Sequence, residues 1–187
     1  MRIKHQLRKG IYMSDYKIHK SQTVIDNQEY MIRDLYVAHE YFKRHFPKQD
    51  STWGYSYYNI FAVTSPSPTF YNLYKELTTV VREYVGDDRP LWIQSWLNFH
   101  MPDEVLDWHG HAWPYHGYIS IDPKNTKTVF DGYEIKNEIG NIYIGPGYRQ
   151  HKVEVLETFD TPRITLGFDI HETPAKPYDQ FSLVPLL

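Results

Sequence analysis

Two stretches decide the fold: Gly140-Asn-Ile-Tyr-Ile-Gly-Pro-Gly-Tyr-Arg-Gln-His151 and, starting twelve residues later, Arg163-Ile-Thr-Leu-Gly-Phe-Asp-Ile170. The first reads as a strand, a tight Gly-Pro-Gly turn, and a histidine that opens the next strand. The second alternates. Ile164, Leu166, Phe168 and Ile170 fall on one face of a strand, and Arg163, Thr165 and Gly167 on the other. Moving outward, LWIQSWLNFH (91–100), GYISID (117–122), TVF (128–130), YEI (133–135) and HKVEVLE (151–157) repeat the strand signal at intervals of roughly ten residues. Asp131-Gly132 and Asp160-Thr-Pro162 punctuate them, and no helical period interrupts. Short strands at that spacing predict a mainly β architecture: a sandwich, a jelly roll or a barrel.

The first half reads differently. Asp26 is placed to cap a helix over about Asn27–His45 that stops before Pro47, with Tyr30, Ile32, Leu35, Tyr36, Ala38, Tyr41 and Phe42 as its apolar stripe. A short strand is expected at Tyr57–Val63. A second helix starts at Ser67 or Pro68, carries Phe70, Leu73, Tyr74, Leu77, Val80, Val81 and Tyr84, and ends at Gly86. These flanking N-terminal α-helices are expected to pack outside one sheet. The expected organisation is a single domain over 1–187: a helical and irregular part over about 1–89, a core over about 90–172, and an extended surface tail over 173–187.

The chain has 187 residues, enough to bury a core without staples. It has no cysteine, which excludes disulfides, thiolate metal sites and a thiol nucleophile. Apolar runs reach only about five residues, so no membrane span is expected, and the charged N-terminus shows no secretory h-region. Net charge is −3, yet residues 1–20 hold six Lys/Arg against one Asp. The remainder is acidic, so a nucleic-acid partner is not expected; the basic arm reads as a solvated segment.

Four of the ten histidines lie between positions 100 and 116. His109 and His111, two apart in Asp107-Trp-His-Gly-His111, can offer two imidazoles to one metal, with Gly110 leaving room for a ligand to approach. His151 can supply a third from a neighbouring strand, making a facial site. Arg163 beside Thr165 is a carboxylate receptor, because a guanidinium offers planar paired donors. Such an arginine inside a jelly roll needs an anionic partner, from the protein or from a ligand. Asn98 and His100 share a face with Trp96 and can reach the same ligand. Tyr118 and Tyr143 can each donate a phenol to a carboxylate, although each also suits packing. His116 is either a substrate contact or structural. The segments Trp113–Tyr118 and Trp53–Tyr58 are candidates for a pocket rim.

The order H-x-H, GYISID, G-N-I-Y-I-G-P-G-x-x-x-H and R-I-T-L-G-F resembles the iron(II)/2-oxoglutarate-dependent oxygenases over about residues 92–171, most of all short members of phage or bacterial type. The resemblance implies a double-stranded β-helix (jelly-roll) core. It implies Fe(II) and 2-oxoglutarate as cofactors, O2 as co-reactant, a small-molecule or peptide substrate, and a cytoplasmic location (the host cytoplasm if phage-encoded). By it, His151 is the distal ligand, Arg163 and Thr165 hold the far carboxylate of 2-oxoglutarate, and Asn98 sits where the family often has asparagine. His100 and Tyr118 are further candidate cofactor contacts.

One departure stands out: His111 occupies the place of the family's Asp/Glu ligand. Three readings are open: a three-histidine site of His109, His111 and His151; Asp107 as the carboxylate ligand; or His111 as a substrate contact. Two rival functions are open as well: a cupin-type metal enzyme without 2-oxoglutarate, and a non-catalytic jelly-roll binding or virion-associated module.

Overall fold

The computed structural model describes residues 15–45, 58–176 and 182–187. Strand β1 (Lys17–Lys20) leads into helix α1 (Gln22–His45), the short helix α2 (Ile60–Val63) and helix α3 (Pro68–Val85). The strands follow: β2 (Leu91–His100), β3 (Tyr115–Asp122), β4 (Thr126–Phe130), β5 (Tyr133–Lys136), β6 (Asn141–Pro146), β7 (His151–Val155), β8 (Arg163–His171) and β9 (Val184–Leu186). They form a six-stranded sheet, β1-β6-β3-β8-β2-β9, and a three-stranded sheet, β5-β4-β7. Every pairing is antiparallel. This is the double-stranded β-helix that the resemblance implies, with the helices against its larger sheet.

Alternation explains the layering. Ile164, Leu166, Phe168 and Ile170 of β8 are fully buried with Leu91, Ile93, Leu97, Ile119, Ile121, Ile142 and Ile144 in one cluster. Helix α1 contributes Val24, Met31, Leu35, Ala38 and Phe42 to it, and α3 contributes Phe70, Leu73, Leu77, Val80 and Val81. The buried α1 positions 31, 35, 38 and 42 step by a helical turn. That differs from the expected stripe: Tyr30 and Tyr41 are half exposed. The aromatic residues misled the sequence reading because tyrosine tolerates a wet surface.

Three local elements depart from expectation. Helix α1 starts at Gln22, where the Ser21 hydroxyl accepts from the Val24 N–H at 3.2 Å. Asp26 does not open it; it precedes a kink at Asn27 (φ −126°, ψ 18°). Residues 60–63 are helical rather than strand. Asn59 caps them by accepting from the Phe61 N–H at 3.1 Å, while its amide donates to the carbonyls of Ile93 and Ser182 at 2.8 Å each. The tail is not merely extended, since β9 pairs with β2. Helix α3 matches its expectation: Pro68 occupies its first turn, and Gly86 closes it in the left-handed conformation, φ 79°, with its N–H on the Arg82 carbonyl. Among the described residues, no helix is long and apolar enough to cross a membrane.

Candidate metal and cosubstrate site

The face of β8 turned away from the helices carries Arg163, Thr165, Gly167 and Asp169. Register sets their neighbours. Across to β2, Arg163 faces His100, Thr165 faces Asn98 and Gly167 faces Trp96. Across to β3, Thr165 faces Ser120, Gly167 faces Tyr118 and Asp169 faces His116. A cavity of about 430 Å³, its open mouth included, is lined by most of this row together with His109, His111, Thr128, His151 and Val153. A Cβ on Gly167 would lie 2.5 Å from the Trp96 indole, so glycine is what lets that ring lie across the strand.

His109, His111 and His151 bring one nitrogen each within 4.8 Å of one another. The H-x-H segment is no regular strand. His109 makes an isolated bridge to His151, with N–H to carbonyl distances of 2.9 and 2.8 Å, and the His111 N–H donates to the Gly147 carbonyl at 2.9 Å. Two extended backbone anchors therefore aim both rings inward. A Cβ on Gly110 would meet the end of the Gln150 side-chain amide, 2.3 Å away, so its smallness also serves packing within the protein.

The tautomers follow from the acceptors. His109 Nδ1 lies 2.7 Å from the Asp107 carbonyl, and His151 Nδ1 lies 3.1 Å from the Arg149 carbonyl. A carbonyl only accepts, so both Nδ1 atoms donate and both Nε2 atoms carry lone pairs. His111 Nδ1 faces the Asp169 carboxylate, and its buried Nε2 has no hydrogen-bond partner. Burial, followed by the neighbouring imidazoles, pushes His151 down to about 2; burial likewise lowers His109. The Nε2 lone pairs of His109 and His151, beside the unpartnered Nε2 of His111, suit a divalent metal, which binds a deprotonated ring nitrogen. Asp107 gives the group only its backbone carbonyl. Its carboxylate accepts from the Trp108 N–H at 2.8 Å.

Arg163 is buried and donates from Nη1 to Thr165 Oγ1 at 3.2 Å. Its Nε has no partner, and among the described residues no carboxylate lies within ion-pair distance. Burial lowers its pKa to about 10, which leaves it charged at neutral pH. Thr165 Oγ1 also accepts from the Asn98 amide at 3.2 Å, and Asn98 in turn accepts from Trp96 Nε1 at 3.1 Å. With two donors on its oxygen, the Thr165 hydroxyl keeps its own proton for another acceptor. Tyr118 lines the same cavity, and burial pushes its phenol well up, so it stays a neutral donor. His100 also lines it.

Tyr143 lies behind Tyr118, ring centroids 5.3 Å apart, with its hydroxyl 2.9 Å from that of Tyr133; it packs rather than lining the cavity. Trp113 lies against His171, ring centroids 3.8 Å apart and planes tilted by 31°. Residues 53–57 of the expected rim lie outside the described residues, and Tyr58 is buried in the core against Phe42. His116 is buried, its ring 3.6 Å from that of His111, with Nδ1 3.0 Å from Asp169 Oδ1.

Sequence reasoning passed over Asp169. Its parity with Arg163 and Thr165 was the available signal. Burial favours a neutral carboxyl there, but hydrogen bonds from His111 and His116 outweigh it and hold the group down at about 2.

The sequence matches no protein-family model and no curated protein. Solved structures do resemble the fold. An oxidoreductase of the 2OG-Fe(II) oxygenase family from Burkholderia pseudomallei aligns at 14% identity and TM-score 0.47, over 57% of this chain and 59% of that one. The non-heme alpha ketoglutarate dependent epimerase SnoN from nogalamycin biosynthesis aligns at 12% and 0.42, over 58% of each. This chain thus spans less than two thirds of the length of either. A protein from Shewanella oneidensis named as an oxygenase aligns at 12% identity and TM-score 0.50, over 84% of this chain and 81% of that one. Of the three, the last bears on the architecture, and on the architecture alone.

Proposed function

We propose that this protein is an iron(II)- and 2-oxoglutarate-dependent dioxygenase that hydroxylates a small molecule or a peptide side chain. The observation that carries the reading is Arg163: a buried guanidinium without a carboxylate partner among the described residues, in the same cavity as three convergent imidazoles. An uncompensated buried cation costs several kcal/mol, on the order of 3–5. A dianionic ligand removes that cost, and a cupin-type metal enzyme would have no use for the arrangement.

His109, His111 and His151 would hold the metal through Nε2. Arg163 and the Thr165 hydroxyl would clamp the far carboxylate of 2-oxoglutarate, with Asn98 and Trp96 fixing the Thr165 hydroxyl in place. Tyr118 and His100 line the same cavity and would donate to the same ligand. When bound, the metal and 2-oxoglutarate supply the oxidising power: one atom of O2 ends in succinate as CO2 leaves, and the other in the substrate. The protein's share is orientation and exclusion of water, achieved by the apolar walls of Trp96, Leu106 and Val153.

The test is succinate release from 2-oxoglutarate by the Fe(II)-loaded protein without substrate. The reading requires turnover above a metal-free control and its loss in Arg163→Ala. Equal succinate from the parent and Arg163→Ala would remove 2-oxoglutarate from the account.

A further inference from the structure

A two-histidine, one-carboxylate centre carries a negative charge among its ligands; three neutral histidines carry none. Asp169 brings a charge to the same place. Its carboxylate is 2% exposed and touches no Lys or Arg among the described residues. Its hydrogen-bond partners are two imidazole nitrogens, His111 Nδ1 at 3.2 Å on Oδ2 and His116 Nδ1 at 3.0 Å on Oδ1. The two rings stack 11° from parallel. His111 therefore has a carboxylate on Nδ1 and a buried, unpartnered Nε2, and offers one nitrogen within 4.8 Å of nitrogens of His109 and His151. Resting on the metal reading above, we propose that Asp169 is a positioning residue that supplies, one imidazole further out, the charge that the ligand set lacks.

The chemistry is that of a carboxylate–histidine–metal relay. The carboxylate fixes the Nδ1–H tautomer, orients the ring and makes Nε2 a stronger donor. Counted over a divalent metal, its three imidazoles and Asp169, the net charge equals that of a two-histidine, one-carboxylate centre. His116 completes the device. It takes the second donor position on Asp169 and stacks on His111, which prevents that ring from turning. The anion has been moved outward along one side chain rather than lost, and it comes from the same strand face that carries Arg163 and Thr165.

Co(II) alone is a suitable probe, since its affinity and its visible absorption both report the ligand set. Asp169→Asn keeps the shape and one acceptor oxygen, turns an NH2 toward the other imidazole, and removes the charge. It is expected to weaken Co(II) binding about 10- to 100-fold and to shift the Co(II) bands, with the near-ultraviolet circular dichroism of the metal-free protein unchanged. His111→Asp is the second arm, and it leaves Asp169 in place. Although it restores the usual ligand type, it puts two carboxylates side by side in a buried site, so it should bind Co(II) more weakly than the parent. Adding Asp169→Asn to His111→Asp should restore binding to within about tenfold of the parent.

The proposal is overturned if Asp169→Asn binds Co(II) as tightly as the parent with the same spectrum. It is equally overturned if His111→Asp binds as tightly as the double variant. A parent protein that takes up no Co(II) overturns the metal reading itself, a different result from these two.

Discussion

The two faces of β8 put the same burial to opposite uses. On the helix side, Ile164, Leu166, Phe168 and Ile170 are 0% exposed and contribute apolar area to one continuous core. On the cavity side, Arg163, Thr165 and Asp169 are no more than 3% exposed, yet they hold a cation, a hydroxyl and an anion out of water. The first face stabilises the fold. The second weakens it unless something binds, because buried charges without full compensation are destabilising. One strand, read one residue out of phase, thus separates stability from function.

The comparison breaks most visibly at Phe168. Phe168→Ala should lose about 3–5 kcal/mol of unfolding free energy, measured by urea denaturation, through cavity formation in the core. Arg163→Ala should do the reverse. Unfolding free energy should hold or rise, while anaerobic titration of the Mn(II)-loaded protein should show 2-oxoglutarate affinity falling by about 2–4 kcal/mol, with Mn(II) affinity retained. Arg163→Lys should recover little, since an ammonium lacks the planar fork. A loss of fold stability in Arg163→Ala would mean that the two faces are not separable in this way.

Gly167 sharpens the contrast, because it lies on the cavity face but matters through packing. Gly167→Ala should cost about 1–3 kcal/mol of stability by displacing the Trp96 indole, and thermal unfolding would reveal it. Displacing Trp96 should also loosen Asn98 and Thr165, so 2-oxoglutarate affinity should fall with it. The smallest expected effect is of pH on the metal-free protein. Burial first, then His111, pushes His116 down to about 4 from an ordinary value of 6.5. Between those values the unfolded chain binds more protons, so this group's contribution to stability falls as pH falls, by about 1 kcal/mol from pH 7 to 5.5. His116→Gln should remove that share of the slope in a pH series of urea midpoints and leave the share of His151, which burial also pushes down.

How far the sequence carried the reading depends on the range of the interaction. The β character of 91–171 was legible because each strand announces itself within eight or so residues by alternation, and turns by Asp-Gly and Gly-Pro-Gly. Helix α3 was legible at both ends because Pro68 and Gly86 act through their own backbone. Asn59 was not. Its capping role depends on the carbonyls of Ile93 and Ser182, which no local pattern foretells. Strand β1 escaped for the same reason: Lys17–Lys20 has four residues, and its partner is β6, more than a hundred residues away.

By itself, the sequence determined the period-two faces, hence that Arg163 and Thr165 share a side opposite an apolar row, and that His151 opens a strand after a tight turn. The tertiary structure decided what those residues meet. It showed that Arg163 finds no carboxylate among the described residues, that Asp107 turns its carboxylate to its own backbone, and that Asp169 takes two imidazoles. The physical reason is that alternation fixes a side chain's direction, while charge compensation depends on distances across strands, which only register and sheet packing set.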